Sequence, residues 1–564
     1  MGIIRRLDEQ LSNMIAAGEV IERPMAVVKE LVENALDAKA RFIEVKIEQG
    51  GVEAIEVIDD GMGMDPQDAQ LAFERHTTSK IQTKEHLFAP QSLGFRGEAL
   101  PSIASVSDVT LKTSKDELGT YVHIAYGKMI QVRPHAMRNG TEIRVEGLFR
   151  KTPARFKHLK SAAYEASLII DVISKFALSR PDVAFKLSDE NKVMVNTSGT
   201  NQLLEVCAQQ FGNRIARLAH EFELSDYDFT INGFWVDPQE HRSNNKGILI
   251  FINHRIVRSW YLQKAISEAF APYIPSHRYP VCIINLRMDP QLVDVNVHPS
   301  KWEVRLSKEQ QAFFLLVDGL GKLLREHVQP KQHITDQIQE EVSTQEVLFD
   351  VNHYPIQDNL DLEVNEVNSA LRHPTFPHLD LIGQMHGRYI LASSEDDLYL
   401  IDQHAAKERI NFELIIKELN QTPEVQDLLV PVSIDASAAF MERFEEFKLF
   451  SNKLHIECEA LSHQSFMLRS IPIWLKRTDL QAFMQDLMDR YLNQDTMDQA
   501  HLRESVIATM ACHRSIRFNQ NLSSPEMRNI IEELAHCEQP YHCPHGRPTL
   551  VKQNAKTLWK DFER

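Results

Sequence analysis

A multidomain protein of the α+β class is predicted from three observations. The chain has 564 residues, room for roughly three or four domains of about 150 residues each. Its apolar periodicity changes repeatedly between the helical and the strand spacing, and 43% of residues are hydrophobic, as in ordinary packed cores. From 329 to 378 that periodicity fades, and acidic residues, Gln, Asn and Pro accumulate. A composition of that kind buries too little apolar surface to fold, so it reads as a flexible acidic linker.

Each element has its own local reason. Pro24 stands at a tolerated first-turn position, and Val28, Leu31, Val32, Ala35 and Leu36 fall on one face, which predicts a helix from about Pro24 to Ala38. Strict alternation predicts strands at Phe42–Ile47 and Ala54–Ile58, then at Tyr121–Ile124 and Thr141–Val145. Strands and helices mixed in this way predict a sheet covered by helices on one face. A second α/β unit begins near Thr200, giving expected segments 1–200 and 201–328. Ordered patterning resumes at Leu379 after Pro374 and Pro377, so 379–564 is the third folded segment.

Charge and composition exclude several classes. A net charge of -17 opposes a surface that is polyanion-binding throughout, so any nucleic-acid contact must be local. Two basic stretches qualify: Arg150 to Lys160, which includes Lys157, and the stretch holding Arg255, Arg258 and Lys264. A solvated basic face explains either equally well. There is no apolar run of about 18 residues and no apolar core near Met1, so neither a membrane span nor a secretory leader is expected. Six scattered cysteines form no disulfide framework, which points to a reducing cytoplasm.

At about 100° per residue, Glu30, Asn34 and Asp37 share one narrow sector of the first helix. A carboxylate there could activate water, and an amide oxygen could ligate a metal; a solvated polar face is the plainer reading of the helix taken alone. The strand that follows leads into Asp59-Asp60-Gly61-Met62-Gly63, where glycines let backbone approach a ligand and Asp59 could accept from an exocyclic amine. Next come Thr77-Thr78-Ser79-Lys80 and Gly94-Phe95-Arg96-Gly97-Glu98, a glycine-hinged loop opening into a helix whose first amides could cradle phosphates. No Walker-type loop occurs, and the glycine spacing is not that of a dinucleotide fold.

The order Glu30/Asn34, Asp59-x-Gly61-x-Gly63, Gly94-x-x-Gly97 and Gly140-Thr141 resembles the GHKL (Bergerat) ATPase sandwich shared by gyrase B and histidine kinases. Within that superfamily, Ile15-Ala16-Ala17-Gly18-Glu19-Val20, Glu33-Asn34-Ala35-Leu36-Asp37-Ala38, Thr77-Thr78-Ser79-Lys80 and Gly94 to Leu100 resemble the MutL mismatch-repair family. The resemblance implies ATP and Mg²⁺ as cofactors, Glu30 as general base, Asn34 as Mg²⁺ ligand, Asp59 on adenine, and a lid from about Glu74 to Leu100. Asp37, Gly61, Gly63, Thr78, Ser79, Lys80, Gly94, Phe95, Arg96, Gly97, Glu98 and Thr141 are implied as further nucleotide contacts. Asp294 to Arg305 resembles the family segment whose lysine, here Lys301, reaches the γ-phosphate from a ribosomal-S5-like second subdomain. That subdomain is expected to line a DNA groove with Arg255 and Arg258.

In the third segment, Leu398-Tyr399-Leu400-Ile401 reads as a strand feeding Asp402 at the start of a helix, with His404 and Glu408 on one face. An N-cap and ordinary helix-surface residues would look the same. Cys543-Pro544-His545 adds a thiol and an imidazole, and Cys512 a second thiol, so a mixed Mn²⁺ or Zn²⁺ site and a structural zinc are both open.

Asp402-Gln403-His404-Ala405 through Glu408 to Glu413, with Cys543 to Pro548, resembles the motifs of MutL members that carry a latent endonuclease. His513 departs from the family, which often has Arg or Lys there. That branch implies Asp402, His404 and Glu408 as catalytic, a C-terminal dimerisation and endonuclease domain, and a subdomain inserted at about 430–490. Gln426-Asp427-Leu428-Leu429-Val430-Pro431 resembles the peptide by which such proteins dock on the sliding clamp, through Gln426, Leu429 and Pro431; an ordinary strand start fits the same six residues. The expectation is a cytoplasmic, nucleoid-associated homodimer that couples ATP to nicking of double-stranded DNA, with a MutS-like recognition protein and the clamp as partners and no membrane. An ATP-dependent matchmaker whose metal is structural is the alternative.

Overall fold

The computed structural model describes all residues except 1–20, 76, 81–91, 95–96, 117, 191, 275–277, 295–303, 328–375, 395–396, 421–423, 476–478, 494–520, 545–546 and 555–564. Nearly all of the expected linker, together with Ile15 to Val20, Phe95, Arg96, Lys301, Cys512 and His545, lies outside the described residues. The chain divides into two compact units, Met1–Leu323 with Pro423–Leu502, and Leu324–Thr422 with Arg503–Arg564.

The first unit opens on helix α1 (Pro24–Asp37), entered from an extended Arg23 with Pro24 in the first turn. Proline costs nothing there, because the first amides of a helix lack intrahelical acceptors anyway. Val27, Val28, Leu31, Val32, Ala35 and Leu36 are buried, the face read from the sequence. Strands β1 (Phe42–Glu48) and β2 (Ala54–Asp59) pair antiparallel, and alternation sends Ile43, Val45 and Ile47 inward. After helix α2 (Ala99–Val106) come β3 (Asp108–Ser114), β4 (Leu118–Ala125), β5 (Lys128–Ala136) and β6 (Gly140–Glu146). Helix α3 (Ala162–Ser179), capped by the Ser161 hydroxyl on the Tyr164 amide, precedes β7 (Ala184–Asp189) and β8 (Lys192–Asn196). The eight strands run β5-β4-β3-β6-β2-β1-β7-β8, with β1 and β7 parallel. Helices α1 and α3 pack on each other and share one apolar core with the inward side chains of this sheet.

A second sheet follows helix α4 (Leu203–Phe211). It contains β9 (Ala219–Ser225), β10 (Phe229–Val236), β11 (Ile248–Ile252), β12 (Arg255–Val257) and β13 (Cys282–Met288) in the order β12-β11-β13-β10-β9. Helix α5 (Trp260–Phe270), capped by Ser259, packs on β11.

In the second unit β14 (Asp380–Met385), β15 (Tyr389–Ser394) and β16 (Asp397–Asp402) form a meander that runs into helix α6 (Gln403–Asn420). The chain then contributes to the first unit β17 (Val425–Asp435), α7 (Ala438–Glu442), α8 (Phe444–Asn452), β18 (Glu457–Ser462), β19 (Ser465–Pro472) and α9 (Leu480–Asn493). Their three-stranded sheet has the order β17-β19-β18. Phe440, Phe447 and Phe466 pack in its core, with the Phe440 and Phe447 rings edge to face and 4.8 Å apart. Helix α10 (Ser524–Ala535), opened by a Ser523/Glu526 capping box, and β20 (Leu550–Gln553) complete the second unit. Helices α6 and α10 bury Ala406, Ile410, Ile530 and Leu534 together.

Candidate nucleotide and metal sites

Burial of one face of α1 leaves Glu30, Asn34 and Asp37 half-buried on another. Asp37, the last residue of the helix, accepts from the Leu93 amide at 2.8 Å and the Gly94 amide at 2.9 Å. Its Oδ2 also takes the Lys80 ammonium at 2.6 Å, and the same Nζ donates to Asn34 Oδ1 at 2.9 Å. Lys80, Gly94, Asn34 and Asp37 therefore meet at one point. Thr78 and Ser79 are exposed beside it, the Thr78 hydroxyl accepting from the Lys80 amide at 3.1 Å. Glu98 caps α2 through its carbonyl, which accepts from the Ser102 amide at 3.0 Å.

Close backbone approach explains the glycines. Gly63 has φ +63°, and a Cβ there would stand 1.9 Å from the Ser114 carbonyl oxygen. Gly97 has φ +61° and would meet the Thr77 oxygen at 2.2 Å. Neither position accepts another residue without backbone movement. Asp59, at the end of β2, accepts from the Gly61 amide at 2.8 Å. Burial pushes its carboxyl up to about 6, the Asp60 charge adds to that, and hydrogen bonds from the Gly61 and Thr141 backbone oppose it. Thr141 is buried, its hydroxyl 3.0 Å from that of Thr113.

Arg255 stands elsewhere than its expected place among the DNA contacts. It is only 8% exposed, its guanidinium donates to the Ser92 carbonyl of the lid, and the carboxylates of Glu33, Asp37 and Glu30 lie around it. Desolvation lowers its pKa. A guanidinium spent in this way is not offered to a phosphate backbone. On a three-residue strand, Arg255 and Val257 share the inward face, an alternation visible in the sequence. Arg258 and Lys157 are exposed. Ser92 and Leu93 join the lid to the site, and no side-chain chemistry in the sequence marked them.

In the second unit Asp402 caps α6: its Oδ1 accepts from the His404 amide at 2.9 Å and the Ala405 amide at 3.1 Å. His404 Nε2 lies 3.1 Å from Glu408 Oε1, the pair being 14% and 3% exposed. Two further residues stitch α6 to the segment that carries Cys543. Arg409 donates to the His542 carbonyl at 2.6 Å, and Glu413 accepts from the Glu538 and Gln539 amides at 2.7 and 3.1 Å. Cys543 is buried and its amide bonds the Arg547 carbonyl at 2.8 Å. Among the described residues no group of three or more His, Cys, Asp and Glu side chains is assembled as a metal cage. Cys537, also nearby in the chain, is pushed by burial up to about 12, which disfavours its thiolate.

Gln426, Leu429 and Pro431 lie on β17. Residues 428–431 have no partner in the register with β19, which passes from Asp427↔Ser470 to Val432↔Leu468. Leu429 is fully exposed there and Val430 is 78% exposed.

A helix bearing an acid and an amide, strand-end Asp59, glycine approach points and a lysine-bearing lid define an ATPase of the histidine kinase, gyrase B and HSP90-like class. The model "Histidine kinase-, DNA gyrase B-, and HSP90-like ATPase" matches residues 22–158. "DNA mismatch repair protein, C-terminal domain" matches 207–325, and "MutL C terminal dimerisation domain" matches 382–522. The chain is 38% identical over 628 residues to the DNA mismatch repair protein MutL of Bacillus anthracis, and 34% over 643 residues to that of Staphylococcus epidermidis, each pair covered over 100% of both chains. The chain belongs to the MutL family of DNA mismatch repair proteins, with an ATPase domain and a dimerisation domain. Among solved structures, the N-terminal domain of a DNA repair protein aligns over 56% of this chain and 98% of its own (24% identity, TM-score 0.49). The Aquifex aeolicus MutL ATPase domain complexed with ADP covers 53% and 98% (25% identity, TM-score 0.38). No helix among the described residues is long and apolar enough to cross a membrane.

Proposed function

We propose that this chain is an ATP-gated homodimer that nicks one strand of mismatch-containing double-stranded DNA. The observation that carries the ATP half is the convergence of Asn34, Asp37, Lys80 and the Gly94 amide beside Glu30 on one helix face. In this reading the Lys80 ammonium leaves Asn34 Oδ1 for a phosphate, Asn34 would then hold Mg²⁺, which would offset charge on the phosphates, and Glu30 orients and deprotonates the attacking water. Asp59 accepts from the adenine amine. Thr141 completes the base pocket, and the lid residues Thr78, Ser79, Lys80, Gly94, Phe95, Arg96, Gly97 and Glu98 surround the phosphates, with Lys301 as γ-phosphate sensor. The test is Glu30→Ala: ATP binding is kept while hydrolysis falls by about 10²- to 10⁴-fold. Turnover at the wild-type rate in that variant would refute the assignment.

The nuclease half is supported by the pair of half-buried His404 and buried Glu408 beside Asp402, and by Arg409 and Glu413, which hold the Cys543 segment on the same helix. An imidazole, carboxylates and a thiol suit Mn²⁺ or Zn²⁺, so this donor set fits a metal held by Asp402, His404, Glu408, Cys512, Cys543 and His545. Such ions activate water and stabilise the leaving oxygen of a phosphodiester. Glu408 fixes the His404 ring, and the Asp402 cap fixes the helix start, so both orient donors before any metal binds. Exposed Arg258 and Lys157 are the DNA contacts that remain in this reading. Fully exposed Leu429, on the part of β17 that has no register partner on β19, favours peptide docking onto a sliding clamp, with a MutS-like protein as recruiter. A nucleoid-associated cytoplasmic location follows from those partners. The matchmaker reading, with a structural metal, is favoured by one specific observation: Asp402 Oδ1 is already engaged in capping.

A further inference from the structure

The segment from Val425 to Asn493 belongs by sequence to the C-terminal half, yet it packs into the first unit at two separate places. On the ATPase subdomain it grips the start of α3. Ser161, the cap of α3, donates to Glu446 at 2.7 Å, Arg443 lies 5.1 Å over the Tyr164 ring, and Ala438 and Ala439 close on the apolar core. Beside them Lys192 of β8 pairs with Glu442 at 2.6 Å. On the second subdomain Arg278 donates to both oxygens of Asp486 at 2.6 Å, with side chains 18% and 4% exposed. Arg214 bonds Gln481, and Gln464 bonds the Gln209 carbonyl of α4.

The inserted segment thus spans two subdomains whose mutual position bears on the nucleotide lid. The far end of α3 is tied to the β11–β12 turn, the Ser179 hydroxyl donating to the His254 carbonyl at 2.8 Å and His254 Nδ1 lying 3.0 Å from the Ser179 carbonyl. The next residue, Arg255, bonds Ser92 of the lid, and the adjacent Leu93 and Gly94 amides sit on Asp37. Among the described residues the bracing contacts named above lie away from Glu30, Asn34 and Ser92 to Gly94, so through them the segment acts on nucleotide by fixing the two subdomains.

We infer that the inserted segment is a brace: docked across the ATPase and second subdomains, it keeps Arg255 on Ser92, beside the Leu93 and Gly94 amides that sit on Asp37, and so tightens nucleotide binding. The inference rests on the nucleotide-site reading above. By linkage, nucleotide must in turn strengthen docking by the same factor. The Lys192–Glu442 pair, the hydrogen bonds of Ser161, Arg214 and Gln464 and the cation–aromatic contact are individually modest, so the buried Arg278–Asp486 pair is the contact whose loss releases the brace.

Two readouts on the full-length chain test this. A water-soluble carbodiimide should join Lys192 to Glu442 by an amide, read by peptide mass spectrometry, with a yield that rises when ADP saturates the protein. Arg278→Glu should lower that yield and weaken the binding of fluorescent ADP by about fivefold or more. A Lys192→Cys/Glu442→Cys chain locked by a short bismaleimide should bind it at least as tightly as wild type, which keeps the test decisive if Arg278→Glu fails to fold. No cross-link in wild type, or equal affinity in the released and locked chains, would overturn the brace. A wild-type chain that binds no nucleotide refutes the site reading instead, while the cross-link still decides the docking.

Discussion

Helices α1 and α6 make an instructive pair, because each carries an acidic stripe at helical spacing beside a strand and each was read from sequence as a site. Around α1 the partners converge: Lys80, Leu93 and Gly94 all reach Asn34 or Asp37. Around α6 the described residues give half-buried His404 paired with buried Glu408 and a capping Asp402, with two of the expected donors outside the described residues. A helix face presents its own residues in register at no extra cost. A site that needs donors from distant segments depends on the stitching between them, which here is supplied by Arg409 and Glu413.

The sharpest way to break the α1 side is at Gly63. Gly63→Ala must take φ +63° with its Cβ 1.9 Å from a carbonyl oxygen, so it should lose roughly 3 kcal/mol of stability, read by thermal or denaturant unfolding. Wild-type stability there would mean that the backbone approach is not required.

Asp59→Asn comes next, with nucleotide affinity falling by about 10- to 100-fold, the loss expected of a hydrogen bond to a charged group. Its wild-type pH dependence has a definite sign. The folded carboxyl is raised from 3.8 to about 6, so its contribution to the stability of the free chain is full below about 3.8 and is lost as pH rises through about 6. Nucleotide binding that needs the carboxylate runs the other way, weakening as pH falls through about 6; a titration series should show this in wild type and not in Asp59→Asn.

On the α6 side, Asp402→Ala should cost about 1 kcal/mol through the lost cap, with or without added metal. The smallest effect on folding belongs to Leu429→Ala. Stability should change by no more than about 0.5 kcal/mol, because the side chain is fully exposed, while binding of a sliding clamp measured by titration should be lost.

Much of this was legible locally and little of it at long range. The buried face of α1, its proline start and the alternation of β1 and β2 follow from spacing alone. The role of Asp37 as holder of lid amides was not legible, because those amides lie 56 and 57 residues further on. Arg255 looked like a basic surface residue until burial placed it against the lid. The register break at 428–431 of β17 depends on pairing with β19, and Arg278 meets Asp486 across 208 residues. Such contacts are set by topology, and no window of the sequence contains both partners.

The central claim is that the two helices serve one enzyme, and a supercoiled plasmid tests it most directly. Wild-type chain with Mn²⁺ should convert the plasmid to the open circle, and Glu408→Lys should abolish that conversion while ATP hydrolysis stays at its wild-type rate. Absence of nicking by wild type, or equal nicking by Glu408→Lys, would contradict the account and leave the ATP-dependent matchmaker.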